Sequence, residues 1–228
     1  MRTIVFILAM LTVVGVVSAE RIYTVHAKQF PSGAAESNIL LIGHLYAISL
    51  DPETKVATWC CYRATSADSA SRNSLNRNWL QALPDATLEE SDFRGPEYDI
   101  GHMTPLGTFK ASPYAFELNF LANCAPQTPS LNRGPWVRLE DRIRELAKVH
   151  DAVDVAIGTL YETPMPPLPA ADEPHVVPSA FWAVVTPHGE RPQCYIVDQS
   201  CERGDSIDGF AVSIEEVTRR SGLTFTSE

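Results

Sequence analysis

The sequence lacks a basic excess and lacks most of the short motifs that identify common enzyme classes. Lys and Arg number 18 against 28 for Asp and Glu, which gives a formal net charge of −10. Any polyanion that this protein handles must therefore bind at a local basic site. The patterns G-x-G-x-x-G, G-x-x-x-x-G-K-[ST], H-E-x-x-H and G-x-S-x-G are absent. The absence of C-x-x-C disfavours a thiol-redox motif and a cysteine zinc site.

A long apolar run occurs at the start of the chain and nowhere later. It covers residues 3–17, follows Arg2 and ends at Val17-Ser18-Ala19, whose small residues suit signal peptidase. The run is shorter than the roughly 20 apolar residues that a membrane span requires. We therefore predict a signal peptide over residues 1–19, which leaves a secreted or periplasmic protein with no membrane segment. Loss of Arg2 with this leader changes the formal charge from −10 to −11.

The rest of the chain has the composition of a globular domain. A hydrophobic content of 45% and a charged content of 20% argue against a disordered chain, a collagen-like fibre and a coiled coil. Residues 20–228 contain no internal repeat and no long low-complexity tract. A single α+β domain over residues 20–228 is the simplest prediction.

The five cysteines fit an oxidising compartment, in which disulfides persist. Cys194 and Cys201 are close enough in sequence to close a small disulfide loop, or else they stay unpaired. Cys60 and Cys61 point to opposite faces if they lie on a strand, so at most one of them meets Cys124.

The hydrophobic pattern predicts strands before a long polar segment. Residues 37–50 contain one or two strands, residues 51–54 break the run as a turn would, and residues 55–63 resume as a strand. Together these segments predict a β-hairpin. Residues 64–97 are rich in Ser, Asn and Asp, and they are predicted to form a long surface segment with at most short helices. Loops of that length in a compact domain are often functional.

Strands and helices are both predicted in the second half of the chain. Residues 112–122 are predicted as a short helix or turn that leads into a strand at residues 120–124. Pro135 opens a predicted amphipathic helix over residues 136–149, with apolar residues at Trp136, Leu139, Ile143, Leu146 and Ala147. Further strands are predicted at residues 152–158, 180–186 and 195–198, a terminal helix at 213–221, and a proline-rich loop at 163–169.

One of the six histidines, His102, lies in a distinctive pattern. Three blocks follow one another: Tyr98-Asp99-Ile100-Gly101-His102-Met103-Thr104-Pro105, Asn123-Cys124-Ala125-Pro126-Gln127, and Asn132-Arg133-Gly134-Pro135-Trp136-Val137-Arg138-Leu139-Glu140. They resemble the active-site region of the DNA/RNA non-specific endonucleases, a ββα-metal (His-Me finger) family with the signature D-R-G-H, N-x-x-P-Q and N-x-G-x-W-x-x-L-E. The similarity extends to residues 54–59, 77–79, 158–161 and 175–182, so it covers most of the mature chain in order.

The residue types in these blocks supply what phosphodiester hydrolysis requires. A neutral imidazole at His102 can take a proton from water. The amide oxygen of Asn132 can bind a hard cation such as Mg²⁺, although Asn before a helix also suits a plain N-cap. Glu140 and Arg144 lie four residues apart on the predicted helix, where they form an ordinary surface pair. Beside a cation, they would instead hold a water molecule and a phosphate oxygen.

The resemblance implies a role for each of these residues. His102 matches the general base of the family, Asn132 its direct metal ligand, and Glu140 the carboxylate that holds the metal through water. Arg77 and Arg144 match arginines that contact phosphate.

The resemblance also implies a fold, a cofactor and a substrate. Asn123 matches an asparagine of the active-site cleft that supports catalysis. The implied fold is α+β, with an antiparallel sheet core flanked by helices and a β-hairpin and helix around the ion. The implied activity is hydrolysis of single- and double-stranded DNA and RNA to 5′-phosphate products with one Mg²⁺, for which Mn²⁺ is a substitute. Whether an inhibitor protein accompanies the enzyme is left open.

One position departs from the family signature. The family has Arg in D-R-G-H where this chain has Ile100, whose side chain cannot donate to phosphate. Because loss of one preorganised donor can cost on the order of 10² to 10³ in rate, two readings remain: a working nuclease, or a nucleic-acid-binding protein with weakened catalysis. Three arginines near the motif are candidates to compensate: Arg72, Arg94 and Arg133.

A third hypothesis comes from Arg203-Gly204-Asp205, which matches the integrin-binding tripeptide but also suits a plain turn. The three hypotheses differ in what they predict. A nuclease depends on His102, a weakened protein binds nucleic acid in a salt-sensitive manner without cleavage, and an adhesive domain is indifferent to replacement of His102. The acidic charge further predicts a modest affinity for nucleic acid at physiological salt.

Overall fold

A long sheet and a separate two-stranded hairpin make up the β structure. The computed structural model describes residues 4–6, 30–68 and 77–225. Within these ranges the strands are β1 (Ile4–Phe6), β2 (Ile39–Ile42), β3 (Tyr46–Asp51), β4 (Val56–Thr65), β5 (Asp99–His102), β6 (Cys124–Gln127), β7 (Ala152–Leu160), β8 (Ala180–Pro187), β9 (Gln193–Asp198) and β10 (Ala211–Val212). The main sheet has the order β1-β2-β3-β4-β7-β8-β9-β10, and β5 pairs with β6. All pairs are antiparallel except β1 with β2.

Short helices connect and cover the strands. The α-helices of the described residues are α1 (Pro129–Leu131), α2 (Val137–Val149) and α3 (Ile214–Ser221). A π-helical turn, Asn132–Trp136, joins α1 to α2, and Gly134 in this turn departs from helical dihedral angles. Turns of 3-10 helix occur at Pro84–Ala86, Glu90–Phe93, Ala115–Asn119, Leu121–Asn123 and Ile207–Phe210. No helix among the described residues is long and apolar enough to cross a bilayer.

The predicted signal peptide, residues 1–19, lies outside the described residues except for the backbone of β1. β1 pairs in parallel with β2, at the edge of the main sheet. Cleavage after Ala19 stays a prediction.

The main sheet is buried on both faces, which produces two hydrophobic cores. Alternate residues of a strand point to opposite faces, and β4 shows this division: Cys60 and Tyr62 lie in the first core, whereas Trp59 and Cys61 lie in the second. The apolar residues predicted for helix α2 pack against the first core. Trp136, just before α2, is buried there together with Leu139, Ile143 and Ala147, and the half-exposed Leu146 packs against it. Each Leu or Ile that is fully buried there contributes about 1.5–3 kcal/mol.

The second core is covered by the C-terminal helix. Val217 of α3 is fully buried in it. The Ser213 hydroxyl accepts from the Glu216 backbone N–H at the start of α3, and Gly222 ends the helix in the left-handed conformation. These two caps explain why the predicted helix at 213–221 is confirmed with nearly the same ends.

Two predicted elements are placed differently by the structure. The strand predicted at residues 120–124 is wrong: Leu121–Asn123 is a 3-10 turn, and β6 begins at Cys124. Pro135, predicted to open the long helix, lies inside the π-helical turn, and the regular helix begins at Val137. The long polar segment does contain only short 3-10 turns over residues 77–97.

No two of the five cysteines, all of which lie in described residues, form a disulfide. Of the two alternatives left open for Cys194 and Cys201, the structure shows the unpaired one. Cys194 lies in the second core, whereas Cys201 packs against the first, so the two thiols are directed to different sides of the sheet. Sequence proximity did not reveal this separation.

Gly158 of β7 provides a test of how tightly the main sheet is packed. It lies between its cross-strand partners Trp59 and Trp182. A Cβ at this position would come closer than 3.0 Å to the Thr58 carbonyl oxygen and to the Trp182 ring. We expect Gly158→Ala to lower the free energy of unfolding by about 1–3 kcal/mol or more, because overpacking forces the strands apart.

Urea denaturation measures this effect, with Gly204→Ala as the control because a Cβ there meets nothing within 4 Å. The control should change the unfolding free energy by less than about 0.5 kcal/mol. Equal stability of the two variants would contradict the packing of Gly158 between the tryptophans.

Candidate active site

The β5–β6 hairpin brings the sequence blocks together. Its register pairs Asp99 with Gln127 and His102 with Cys124. A Cβ at Gly101 would come closer than 3.0 Å to the Gln127 side chain, so only glycine leaves room for that residue. The chain then passes from β6 through α1 to the π-helical turn, which places Asn132 beside the hairpin.

A cavity of about 640 Å³ opens between the hairpin and the start of α2. One part of its lining is apolar and the other is polar and charged. The apolar part is formed by Trp79, Ile100, Leu106 and Val137, and the polar part by Arg77, Asp99, His102, Asn132, Arg133 and Glu140. Four of the six predicted site residues, His102, Asn132, Glu140 and Arg77, therefore share one space.

His102 is nearly buried, with 8% of its surface exposed. Its Nε2 lies 3.3 Å from the Asn119 Oδ1, and its ring is tilted against that of Trp79 at a centroid distance of 5.2 Å. Burial lowers the pKa of His102 to about 4; the hydrogen bond to the Asn119 Oδ1 opposes this shift, and the positive charge of Arg77 adds to it. The imidazole is therefore neutral at pH 7, which is the state that a general base requires.

Asn119, the partner of His102, was missed by the sequence interpretation. It lies in the 3-10 turn Ala115–Asn119, which is held to the main sheet by a buried acidic side chain. Glu117 accepts from the His44 backbone N–H at 2.8 Å and contacts the His44 Nδ1 at 2.5 Å. The Tyr46 hydroxyl donates to the Glu117 carbonyl oxygen at 2.8 Å. The only sequence signal for Asn119 is a polar residue inside the largely apolar run of residues 115–122.

Asp99 orients two neighbouring side chains at the start of the π-helical turn. Its Oδ2 accepts from the Asn132 Nδ2 at 2.9 Å and from the Arg133 Nε at 2.8 Å, and its Oδ1 accepts from the Arg133 Nη2 at 2.5 Å. Burial raises the pKa of Asp99, but these hydrogen bonds outweigh burial and hold the pKa below its usual value. Because Asn132 uses its amide nitrogen on Asp99, its amide oxygen is the atom left to bind a cation.

Glu140 and Arg144 share a face of α2, as the sequence predicts. The Arg144 Nη1 lies 3.8 Å from the Glu140 Oε2 and 3.5 Å from the Thr108 hydroxyl, and the guanidinium also pairs with Asp141. Arg144 thus borders the cavity beside Glu140. Burial raises the pKa of Glu140 to about 7, against the lowering effect of Arg144.

The chain segment that carries Arg77 and Trp79 is attached to the residues just before β6. The Leu80 backbone N–H donates to the Asn119 carbonyl at 2.9 Å, and the Leu121 N–H donates to the Leu80 carbonyl at 2.8 Å. These bonds place Trp79 against His102 and the exposed Arg77 at the cavity. The polar segment therefore contributes to the site, as its length suggested.

Asn123 is fully buried and its amide bonds to the backbone. The Nδ2 donates to the carbonyls of Thr104 and Leu118 at 3.0 and 2.9 Å, and the Oδ1 accepts from the Thr104 N–H at 2.8 Å. Asn123 does not line the cavity. Its contacts fix the chain that follows His102.

An acidic group and the Arg203-Gly204-Asp205 turn both lie away from the cavity lining. Possible ligand atoms of Asp92, Asp172 and Glu173 come within 4.8 Å of one another, an arrangement that is common on surfaces without an ion. Asp205 accepts from the Glu202 N–H through its carboxylate at 2.9 Å, and Arg138 donates to the carbonyls of Arg203 and Asp205. These contacts agree with a plain turn.

Known proteins resemble this chain over most of its length. Residues 24–228 match the family model of the DNA/RNA non-specific endonucleases. The chain is 33% identical over 204 residues to a nuclease of Serratia marcescens, a match that covers 85% of this chain and 76% of the relative. It is 27% identical over 203 residues to the mitochondrial endonuclease G of Bos taurus, covering 79% and 66%.

A solved structure of EndoG in complex with EndoGI has the same fold. The TM-score is 0.76 at 24% identity, and the match covers 90% of this chain and 91% of that chain. The α+β fold with an antiparallel sheet, predicted from the sequence, is confirmed. On the extent of the family match and the identity to the Serratia enzyme, the chain belongs to the DNA/RNA non-specific endonuclease family.

Proposed function

We propose that this chain is an exported, Mg²⁺-dependent endonuclease that hydrolyses phosphodiester bonds of DNA and RNA without sequence preference and leaves 5′-phosphate ends. The observation that carries the proposal is a single cavity lined by a neutral, buried imidazole, His102, and by the oxygen donors of Asn132 and Glu140. A general base and a hard-cation site in one space are what metal-assisted hydrolysis of a phosphodiester requires.

His102 is the proposed general base. If the Nε2 carries the proton and donates to the Asn119 Oδ1, the Nδ1 holds the lone pair that accepts a proton from the attacking water. Asn119 thus selects the tautomer, and the Trp79 ring restricts the rotation of the imidazole. Both neighbours keep the base oriented before substrate arrives.

The side chains fit a divalent cation. Asn132 offers a neutral amide oxygen whose orientation is fixed by Asp99, and Glu140 offers a carboxylate on the adjacent turn of α2. Asn132 would bind the cation directly and Glu140 through water, with Mg²⁺ as the cofactor and Mn²⁺ as a substitute. When bound, the cation would supply positive charge to the phosphate and to the leaving oxygen.

Arg77 and Arg144 are proposed to bind phosphate oxygens. Arg77 lines the cavity, and Arg144 borders it beside Glu140. Contacts to phosphate carry no sequence information, so an enzyme that relies on them cleaves single- and double-stranded substrates of any sequence.

Export and an inhibitor protein are further parts of the proposal. Export rests on the leader-like residues 1–19 alone, since the relatives include mitochondrial nucleases. An inhibitor is proposed because EndoG, which shares this fold, is known in an inhibitory complex with EndoGI.

One observation favours a second candidate function, a nucleic-acid-binding protein with weakened catalysis. Ile100 lines the cavity at the position where the family signature has Arg. A cleavage assay separates this candidate from the nuclease.

We expect the mature protein to degrade supercoiled plasmid and total RNA in Mg²⁺ and to lose this activity in EDTA. His102→Ala should lower the cleavage rate by about 10² to 10⁴, the usual contribution of a general base. His150→Ala is the matched control, because His150 lines a different cavity beside the end of α2 and should retain wild-type activity. Binding without cleavage by the wild-type protein, in both Mg²⁺ and Mn²⁺, would favour the weakened binder instead.

The buried environment of His102 predicts the pH below which the cleavage activity falls. Because its pKa is lowered to about 4, the neutral form persists far below pH 6.5, and kcat/KM should fall only as the pH approaches 4. A histidine with the ordinary pKa of about 6.5 would have lost about tenfold by pH 5.5. The profile is measured at saturating Mg²⁺, since the pKa of Glu140 is raised to about 7 and its carboxylate must be ionised to hold the cation. An acid limb centred near pH 6.5 that stays in place when the Mg²⁺ concentration is raised further would contradict the burial of His102, whereas a limb that moves with Mg²⁺ would belong to Glu140.

A further inference from the structure

Ile100 removes a hydrogen-bond donor from the edge of the cavity. Its side chain lines the cavity and packs in part against the first core. A hydrocarbon side chain gives a phosphate oxygen neither charge nor a donor. The cavity therefore needs another source of the contact that an arginine at position 100 would make.

Arg133 lies in the same cavity, one residue after Asn132. Its guanidinium binds Asp99, the residue that directly precedes Ile100, so its charge lies at the same end of the hairpin as position 100. The Arg133 side chain is 56% exposed, which makes it accessible to a polyanion.

Asp99 orients the guanidinium of Arg133 but does not engage all of its N–H donors. A guanidinium carries five N–H donors, and the bonds to Asp99 engage the Nε and the Nη2. Donors on the outer side of the fork remain for a phosphate oxygen. Because the Asp99 carboxylate also accepts from Asn132, Asp99 holds Arg133 and Asn132 beside each other.

The other two arginines near the motif are poorer candidates. Arg94 lies in a different cavity, whose lining contains neither His102 nor Asn132. Arg72 lies outside the described residues.

We propose that Arg133 is a substrate-binding residue that supplies to the phosphodiester the guanidinium contact that Ile100 cannot make. This inference rests on the proposed function, since it assigns a residue that binds the same substrate. The partner chemistry is a phosphate group of the nucleic-acid backbone.

The test measures binding of a fluorescent DNA duplex in EDTA by anisotropy across a series of salt concentrations. One lost phosphate contact reduces the slope of log affinity against log salt by about 0.9. Arg133→Ala is expected to bind about tenfold more weakly and to show this reduced slope. The matched control is Arg138→Ala, which removes an equal charge from the first turn of α2, where the guanidinium binds the carbonyls of Arg203 and Asp205. The control should keep the wild-type slope.

Two further variants separate substrate binding from a structural role. Arg133→Gln removes the charge and keeps a donor for Asp99, so it should show the same reduced slope as Arg133→Ala even if the alanine variant is unstable. Ile100→Arg combined with Arg133→Ala should restore the wild-type slope, because it returns a guanidinium to the cavity from the neighbouring strand.

A wild-type slope in both Arg133 variants would overturn the inference and leave Arg133 as a structural partner of Asp99. Cleavage in Mg²⁺ is measured separately on the same proteins. Failure of the wild-type protein to cleave would count against the proposed function, whereas the binding slopes would still test Arg133, because binding in EDTA requires no turnover.

Discussion

Four backbone pairs between β5 and β6 hold the candidate site together. They join residues that are separated by the whole segment 103–123, and they place Asp99 and His102 within reach of Asn132. A two-stranded hairpin has little stability of its own, so its geometry must come from packing against larger elements. Asn123 attaches the chain after His102, and the Glu117–His44 contact ties the turn that carries Asn119 to the connection between β2 and β3. The main sheet thereby positions the candidate site, although the residues that line the cavity lie outside the strands of that sheet.

Burial shifts the pKa values of two groups in the cavity, His102 and Glu140, towards the neutral form. For the general base proposed at His102 this is the working state, since a neutral imidazole accepts a proton. For the role proposed for Glu140 it is the opposite, because a carboxylate would have to be ionised to hold a cation through water. The positive charges of Arg144 and Arg77 offset the cost in part. The same burial therefore has opposite consequences for the two proposed roles.

The sequence predicted what depends on local pattern and missed what depends on packing. Helix α2 and the strands β7 and β8 have strong hydrophobic patterns, and their predicted positions were nearly correct. The apolar residues 120–122 suggested a strand, but only an isolated bridge joins Phe120 to Leu80, and Leu121–Asn123 forms a 3-10 turn. His102, Asn132 and Glu140 were identifiable because the family motif includes them. The hydrogen bond between His102 and the Asn119 Oδ1 and the pairing of Arg133 with Asp99 join residues that are distant in the chain, so no sequence pattern marks them.

The arrangement of the cysteines bears on the compartments in which this fold can exist. Burial raises the pKa of the Cys60 thiol to about 12 and those of Cys194 and Cys201 to about 11. The thiolate is the species that oxidants and disulfides attack, and at neutral pH it is a very small fraction of each of these groups. The two hydrophobic cores stabilise the chain, and no disulfide among the five cysteines adds to this stability. The same native structure is thus compatible with a reducing and an oxidising environment, and the number of cysteines does not indicate where the protein acts.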